Sequence, residues 1–582
     1  MSLFGCDCHL WCLDCKRETD LNVCELCGQV TREDIACAVY WCSDCLTPVL
    51  YDLKTDTPCH CPLCKGSISY LGSDLRPVFD EERFLVELLL NDPLCFQNST
   101  IWACDNRYYV DGRSLPISLS KYHKVDIEAL VASIKEQRPE NSPDVFKESI
   151  SRFCNANSER YNRIVNEAME FINSVSAEYP EENVVISFSG GKDSTVVADL
   201  VIRALGNPSM VHVFGNTTLE FQSTLEYTER YRKDNPLAIF KTAMNNEQSF
   251  YKVANEIGPP SRTMRWCCSM FKTGPITRVF NGLYRNQDVL SFYGIRKCES
   301  VSRSKYNRVE DDAESVKIQK QRVASPIFFW RDIDVWLYIL TRGLDFNNAY
   351  KLGYDRVGCW CCPNNNPRAQ FLSSVYMTEL SDHWRSFLIG FARKIGKPDP
   401  ETYVDTGKWK ARQGGNGLEA ANSVKLKFDN CATEENAVIL SLHKPYSPEI
   451  ESYFCPIGKP APELGRALIN ETIILDPKSS MPILSIQPFS QDGFDYAIKI
   501  KVLDASQTAD LVRMSKYQVT KYNACRQCLK CESLCKYGAI SITDGKYRIE
   551  MNRCMHCRQC VTDKYLEGGC LMRKYLRTKE AI

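Results

Sequence analysis

Apolar positions along the chain fall into short segments of changing period, and that alternation predicts a mixed α/β protein built from several modules. Val184, Val185 and Ile186 form a β-branched run that reads as a buried strand, and residues 195–205 follow as an apolar helix without Pro or Gly. Upstream, Phe153, Tyr161, Ile164, Val165, Met169 and Ile172 recur near helical spacing, so residues 151–176 are predicted to form a helix with these side chains in the core. Residues 81–90 predict another helix, and residues 107–116 alternate as short strands around Tyr108-Tyr109-Val110-Asp111-Gly112. Residues 436–502 alternate β-branched runs with Pro and Gly, the pattern of a small β-rich module. A Gly-rich, basic stretch at residues 408–417 interrupts the periodicity and either covers a site or links modules.

Length agrees with several modules, because 582 residues exceed the ~250–300 at which single cores stop growing. Hydrophobic residues make up 44% and charged residues 25%, which argues against wholesale disorder. The longest apolar runs, such as residues 84–90, are far too short to cross a bilayer, so no membrane partner is expected. Lys plus Arg and Asp plus Glu balance at 72 each, and that balance selects no partner. The count that changes the picture is 31 cysteines, largely in C-x-x-C clusters and without an apolar leader before them. Paired spacing in such a chain favours metal over disulfides and predicts a reducing, cytoplasmic setting.

The predicted strand and helix at residues 184–205 are joined by Ser-Phe-Ser-Gly-Gly-Lys-Asp-Ser, residues 187–194. Gly190 and Gly191 let the backbone approach an anion, and the helix start turns its N–H groups and positive dipole toward it. Lys192 adds a point charge, and Ser187, Ser189 and Ser194 can donate hydrogen bonds. The spacing does not match a Walker A loop. The segment resembles the PP-loop of ATP pyrophosphatases, a family that includes phosphoadenosine phosphosulfate (PAPS) reductases. Residues 216–221 (NTTLEF), 294–303 (GIRKCESVSR), 325–339 (SPIFFWRDIDVWLYI) and 353–363 (GYDRVGCWCCP) extend the resemblance across most of residues 183–409. It implies an adenine nucleotide held by Ser187, Ser189, Gly190, Gly191, Lys192, Asp193 and Ser194. Arg265, Lys272, Arg296 and Arg303 would place positive charge around a nucleotide or sulfo group. Glu299 could orient an Arg or hold Mg2+.

Three cysteine groups need separate readings. Cys12, Cys15, Cys24, Cys27, Cys42, Cys45, Cys61 and Cys64 are enough for two four-thiolate zinc sites. Residues 40–50 with residues 61–66 look like a zinc ribbon of two knuckles with a short hairpin between, and Cys6, Cys8, His9, Cys37 and Cys59 are spare donors. Cys267 and Cys268 with Cys359 and Cys362 resemble the Cys-Cys and C-x-x-C pattern of adenosine phosphosulfate (APS) reductases, which implies a [4Fe-4S] cluster. Cys361 is a further thiol there, and zinc is the alternative ion. Cys525, Cys528, Cys531 and Cys535 read C-x-x-C-x-x-C-x-x-x-C, followed by Cys554, Cys557, Cys560 and Cys570. This resembles a bacterial two-cluster ferredoxin, whose crossing rule implies that Cys525, Cys528, Cys531 and Cys570 hold one cluster and Cys554, Cys557, Cys560 and Cys535 the other. Lys536 stands where that family usually has Pro, and the gap before Cys570 is longer.

The expected fold is therefore multidomain. A central α/β parallel-sheet PP-loop domain, of the adenine nucleotide alpha hydrolase-like type, is flanked by small zinc-ribbon, mixed/β and ferredoxin-like domains. The expected boundaries are 1–70 for the zinc ribbons, 71–150 for a small mixed domain similar to a PUA module, 151–425 for the catalytic domain, 426–515 for the β-rich domain and 516–582 for the ferredoxin-like domain. The resemblance implies an enzyme of sulfur metabolism. In one version ATP adenylates an acceptor and sulfur delivered through the Cys267/Cys268/Cys359/Cys362 site displaces AMP. In another, PAPS or APS is reduced to sulfite with ferredoxin-type electrons, although no Glu-Cys-Gly-x-His segment supplies the usual nucleophile. A third version is a non-catalytic nucleic-acid-binding scaffold, suggested by the zinc modules and by Lys and Arg outnumbering acidic residues after Lys521. DNA, tRNA, a metabolite and a sulfonucleotide all fit as substrate, and a basic surface could also dock a redox partner.

Overall fold

A computed structural model describes residues 10–12, 17–19, 25–26, 28, 32–33, 37–52, 60–104, 107–115, 117–119, 125–137, 144–284, 287–300, 303–310, 321–490, 492–562, 566 and 568–578. Its centre is a six-stranded sheet whose first strand, β1 (Val184–Phe188), is the β-branched run of the sequence. β2 (Val211–Gly215), β3 (Ile239–Ala243), β4 (Val289–Phe292), β5 (Val309–Glu310) and β6 (Gln321–Ala324) follow, in the spatial order β3-β2-β1-β4-β6-β5. All pairings are parallel except β5 with β6. Helix α1 (Lys192–Leu205) leaves the loop after β1 and buries Val196, Val197, Leu200 and Val201 against the sheet. Strand order reverses between β1 and β4. In open parallel sheets such a reversal opens a crevice at the carboxyl ends of the strands, and ligands bind there.

The predicted helix at residues 151–176 is interrupted. Asp144–Ala156 and Ser158–Ser176 are separate helices that meet at Asn157. The Asn157 side chain makes distant contacts instead: its amide donates to the Pro48 and Phe153 carbonyls at 3.0 and 2.8 Å, and its oxygen accepts from Leu50 N–H at 2.7 Å. Next to it, buried Arg160 bridges Asp52 at 2.6 Å and Asp334 at 2.7 Å. These contacts fix the cysteine-bearing hairpin to the central domain.

That hairpin pairs Cys37–Cys42 with Thr47–Asp52, and Ile68–Gly72 adds a third strand. The first knuckle, Cys42 to Cys45, forms the hairpin's own turn, a correction to the expectation that the hairpin lies between two knuckles. Cys37 is 2% exposed in an apolar cluster with Val39 and Trp41, so it is packed as core. Cys6, Cys8, His9, Cys15, Cys24, Cys27 and Cys59, with the side chain of Cys12, lie outside the described residues.

Beyond the hairpin, Arg76–Pro77, Ile101–Cys104, Arg107–Val110 and Arg113–Leu115 form an antiparallel sheet beside helix Asp80–Leu89. Fully buried Glu82 accepts hydrogen bonds from Arg76 at 2.6 Å, Arg368 at 2.5 Å and Tyr108 at 2.7 Å. A buried carboxylate is tolerable only when paired this completely. Later in the chain, Phe428–Asn430, Ala437–Leu442, Lys459–Ala461, Thr472–Leu475, Pro482–Phe489 and Tyr496–Val502 form a six-stranded antiparallel sheet. Helix α2 (Thr508–Ala524) then leads into the eight-cysteine segment, which carries the hairpin Ile540–Thr543/Lys546–Ile549 and helix α3 (Leu571–Leu576). One apolar cluster joins Trp266, Met270 and Phe271 of the central domain to Leu440 and Ile500 of the sheet and to Leu529 and Tyr575 of the cysteine segment. Among the described residues no helix is long and apolar enough to cross a membrane.

Candidate functional site

The loop between β1 and α1 is built for close approach. Gly190 has φ +70°, and a Cβ there would lie 2.8 Å from the Thr224 methyl. Ser189 N–H donates to Ser194 Oγ at 3.2 Å, and Ser194 Oγ donates to the Gly191 carbonyl at 2.8 Å, closing the turn on itself. The Asn347 amide donates to the Gly190 carbonyl at 3.1 Å, and Lys192 N–H donates to Tyr350 Oη at 3.1 Å. Ser187 lies one step earlier, in β1 opposite Val213. From the β4 side, Gly294 packs so tightly that a Cβ would sit 2.8 Å from the Asp193 backbone.

Charges converge at this crevice. Lys192 is 3% exposed. Its Nζ lies 3.4 Å from Asp193 Oδ2 and 3.0 Å from Asp332 Oδ1, and it donates to the Asp355 carbonyl at 3.3 Å. Arg296 bridges the same two carboxylates, Nε to Asp193 at 2.6 Å and Nη2 to Asp332 at 2.8 Å. Burial alone would raise the Asp193 carboxyl, but Arg296 and Lys192 hold it down at about 2. The carboxylates in turn push Lys192 and Arg296 above their ordinary values against the opposing effect of burial. Glu299 accepts the Arg296 backbone N–H at 3.3 Å and pairs with Arg303. Glu299 thus touches both arginines of this segment.

Four further residues belong to this crevice and were missed as individuals: Asp332, Tyr350, Asp355 and Asp74. Asp332 lies inside a segment that the sequence singled out, directly after the N-cap of helix Asp332–Arg342. Asp74 accepts N–H bonds from Asp332 at 3.1 Å and Ile333 at 2.9 Å. Burial, then the neighbouring Asp332 carboxylate, raises its carboxyl to about 6. A carboxyl raised on folding contributes stability below its ordinary value and loses it as pH rises through the folded one. Asp74 should therefore cost the fold up to ~3 kcal/mol as pH climbs from about 4 to above 6. Asp74→Asn should gain more melting temperature over the wild-type protein at pH 7 than at pH 4.5, and an equal difference at both pH values would refute this.

Arg265 and Lys272 are on the other side, against the cysteines rather than the loop. Helix Trp266–Cys268 runs through a π turn at Ser269–Thr273 into Gly274–Leu283, and such wide turns interrupt helices mainly at functional sites. Arg265 Nη2 lies 3.5 Å from Cys268 Sγ. The Cys267 thiol, with Arg265 in support, holds Cys268 down at about 5 against burial. Cys359 reaches the same place from the segment after Asp355: Thr217 Oγ1 is 3.5 Å from its Sγ, and Trp360 N–H donates to the Leu219 carbonyl at 3.0 Å. Lys272 faces both Cys268 and Cys359. Cys361 is 5% exposed in the apolar cluster, whereas Cys359 and Cys362 are half-buried. Three residues lie between Asp355, whose carbonyl accepts from Lys192, and Cys359, a span of at most ~14 Å.

The other thiols also gather in fours. Cys42 Sγ lies 3.5 Å from Cys64 Sγ, and Cys61 Sγ 3.7 Å from Cys45 Sγ. Four thiolates on one tetrahedral ion with ~2.3 Å bonds would stand ~3.8 Å apart, so this donor set fits zinc. Cys528 and Cys570 each face Cys525 and Cys531. Cys535, Cys554, Cys557 and Cys560 line a single cavity. Cys570 thus lies with the earlier cysteines of the segment and Cys535 with the later ones.

Residues 183–365 match the family profile described as phosphoadenosine phosphosulfate reductase domain. The match spans the parallel sheet and its strand–loop–helix. An uncharacterized Methanocaldococcus jannaschii protein is 30% identical over 293 residues, covering 50% of this chain and 59% of that protein. An adenosine 5'-phosphosulfate reductase of Staphylococcus epidermidis is 26% identical over 215 residues, 35% of this chain and 82% of the relative. Among solved structures, phosphoadenylyl-sulfate reductase of Candida auris aligns with 35% of this chain and 96% of its own, at 16% identity and a TM-score of 0.28.

Proposed function

We propose that the chain is an enzyme of sulfur metabolism that binds ATP at the loop of residues 189–194, adenylates an acceptor with release of pyrophosphate, and lets sulfur from the adjacent cysteine site displace AMP. The observation that carries this reading is the pairing of Asp193 and Asp332 with Lys192 and Arg296 in one buried crevice, where Lys192 also bonds Asp355, four positions before Cys359. Two carboxylates at the anion position would repel a bare polyphosphate, so the crevice suits a nucleotide that arrives with Mg2+. Ser189, Ser194 and the backbone N–H groups orient the phosphates, while Lys192 and Arg296 exchange their carboxylate partners for phosphate oxygens.

Cys267, Cys268, Cys359 and Cys362 would hold a [4Fe-4S] cluster, and the two groups drawn from residues 525–570 would hold two more, supplying one-electron chemistry. Tyr575 supports a functional link between them: it is buried in one apolar cluster with Trp266, Met270 and Phe271 beside Cys267 and Cys268 and with Leu529 beside Cys528. Leu529 presses on Gly274, where a Cβ would approach it to 2.5 Å. Gln248 bonds Gln527 at 2.5 Å, and Arg278 bonds Glu532 at 2.8 Å.

A second reading, reduction of APS or PAPS to sulfite, is favoured by the APS reductase relatives and by the Cys-Cys plus C-x-x-C arrangement. It needs a thiol at the nucleotide. Cys298, exposed and 3.5 Å from Arg296 Nη1, is placed for that role. Anaerobically purified protein decides between the two. Release of pyrophosphate and AMP from ATP, with about twelve irons per chain, supports the first reading. Sulfite release from APS or PAPS without ATP turnover supports the second, and zinc without iron rejects the cluster assignment.

A further inference from the structure

Helix α2 ends on a lysine that the nucleotide chemistry does not use. Lys521 is 1% exposed. Its Nζ donates to the Cys560 carbonyl at 2.6 Å and stands 5.6 Å from the centre of the Tyr547 ring. The leading charges that face it are thiols: Cys531, Cys560, Cys570 and Cys525, in that order. The first, third and fourth belong to one group of four, and Cys560 to the other. Lys521 also lies one turn before Cys525, the residue at which helix α2 ends. Burying an ammonium costs several kcal/mol unless negative charge compensates it, and in this pocket the compensation comes from sulfur on two sides.

We propose that Lys521 is a buried cation shared by both centres of the cysteine segment, raising the reduction potential of each. The proposal rests on the reading that both groups hold iron-sulfur clusters. Net charge and hydrogen bonds at the sulfurs are what set such potentials. Each added electron makes a cluster more negative, and a fixed positive charge in low-dielectric surroundings favours that reduced form. Because the helix holds one ammonium between the groups, both should respond to its loss. Lys521 acts through the cysteines, so it is a positioning residue.

The test is an anaerobic redox titration of the full-length, iron-loaded protein, followed by absorbance and electron paramagnetic resonance. Lys521→Gln keeps a donor for the Cys560 carbonyl but removes the charge; Lys521→Met fills the same volume. The neutral variants should lower the potentials of both centres by tenfold or more in the one-electron equilibrium, at least ~59 mV, at unchanged iron content. Lys521→Arg should remain near the wild-type values. Unchanged potentials in an iron-replete neutral variant, a shift confined to one centre, or an equal shift in Lys521→Arg would overturn the proposal. If both neutral variants lose iron while Lys521→Arg retains it at wild-type potentials, the charge requirement stands; loss from Lys521→Arg as well refutes it. Wild-type protein without iron in this segment defeats the underlying functional reading instead, and is recognised before any variant is made.

Discussion

Replacing Asp193 with Asn is expected to lower pyrophosphate release from ATP by on the order of 10²–10³-fold, and Lys192→Ala by at least as much, the scale on which preorganised charges act at reacting phosphates and carbonyls. Asp193 sits between Arg296 at 2.6 Å and Lys192 at 3.4 Å, and its carboxyl is held at about 2, so it is ionised at every working pH. An amide in its place leaves two buried cations to share Asp332. The crevice then gains positive charge, so nucleotide affinity can rise while turnover falls, because the metal-bearing form of the nucleotide loses a carboxylate. KM falling together with kcat would carry that signature. Breaking a buried ion pair also costs ~3–5 kcal/mol of stability, so melting temperature and iron content must be measured beside the rate. Wild-type turnover in a folded Asp193→Asn protein would remove the loop from the chemistry.

The second large effect concerns the ribbon. With zinc bound at Cys42, Cys45, Cys61 and Cys64, as the donor set allows, its removal or Cys61→Ser is expected to unfold the hairpin Cys37–Cys42/Thr47–Asp52, since structural zinc supplies ~10–16 kcal/mol in comparable small modules. The damage should spread. Asn157 would lose its partners at Pro48 and Leu50, and Arg160 would lose Asp52, which leaves buried polar groups unpaired at ~1–3 kcal/mol each. Limited proteolysis after chelation, with zinc counted by mass spectrometry, should show early cleavage within residues 37–72 and a lower melting temperature for the central domain. A metal-free protein with unchanged proteolysis would show that the thiols do not hold the module together.

Local pattern was readable where one segment decides its own structure. The run Val184-Val185-Ile186, the paired glycines and the apolar face of α1 gave the phosphate-type loop, because period and turn chemistry are local. The break at Asn157 was not readable, since the bonds that replace helix continuity come from residues 48 and 50. The same reason hid Asp74 and Asp355. Each is an ordinary acidic residue in the sequence and becomes informative only when a distant helix start or Lys192 meets it. The division of Arg265 and Lys272 from Arg296 and Arg303 also needed the fold, because spacing does not say which side of a crevice a cation faces. Cysteines fared better, as their pairs advertise themselves, and Cys361 separated from Cys359 and Cys362 only through burial.

Gly414 and Gly415 lie against the carbonyls of Arg577 and Leu576, where a Cβ would come within 2.3 and 2.4 Å, and Gly415 N–H donates to Arg577 at 3.1 Å. The basic stretch at residues 408–417 thus grips the end of the last helix, while Leu529 on Gly274 secures the first cysteine loop. A carrier on a swinging tether spends part of each cycle searching for its acceptor, as linker-borne groups do. The eight-cysteine segment is fastened near both of its ends instead, so its distance to Cys267 and Cys268 is a fixed property of the fold, untouched by solvent viscosity or by dilution.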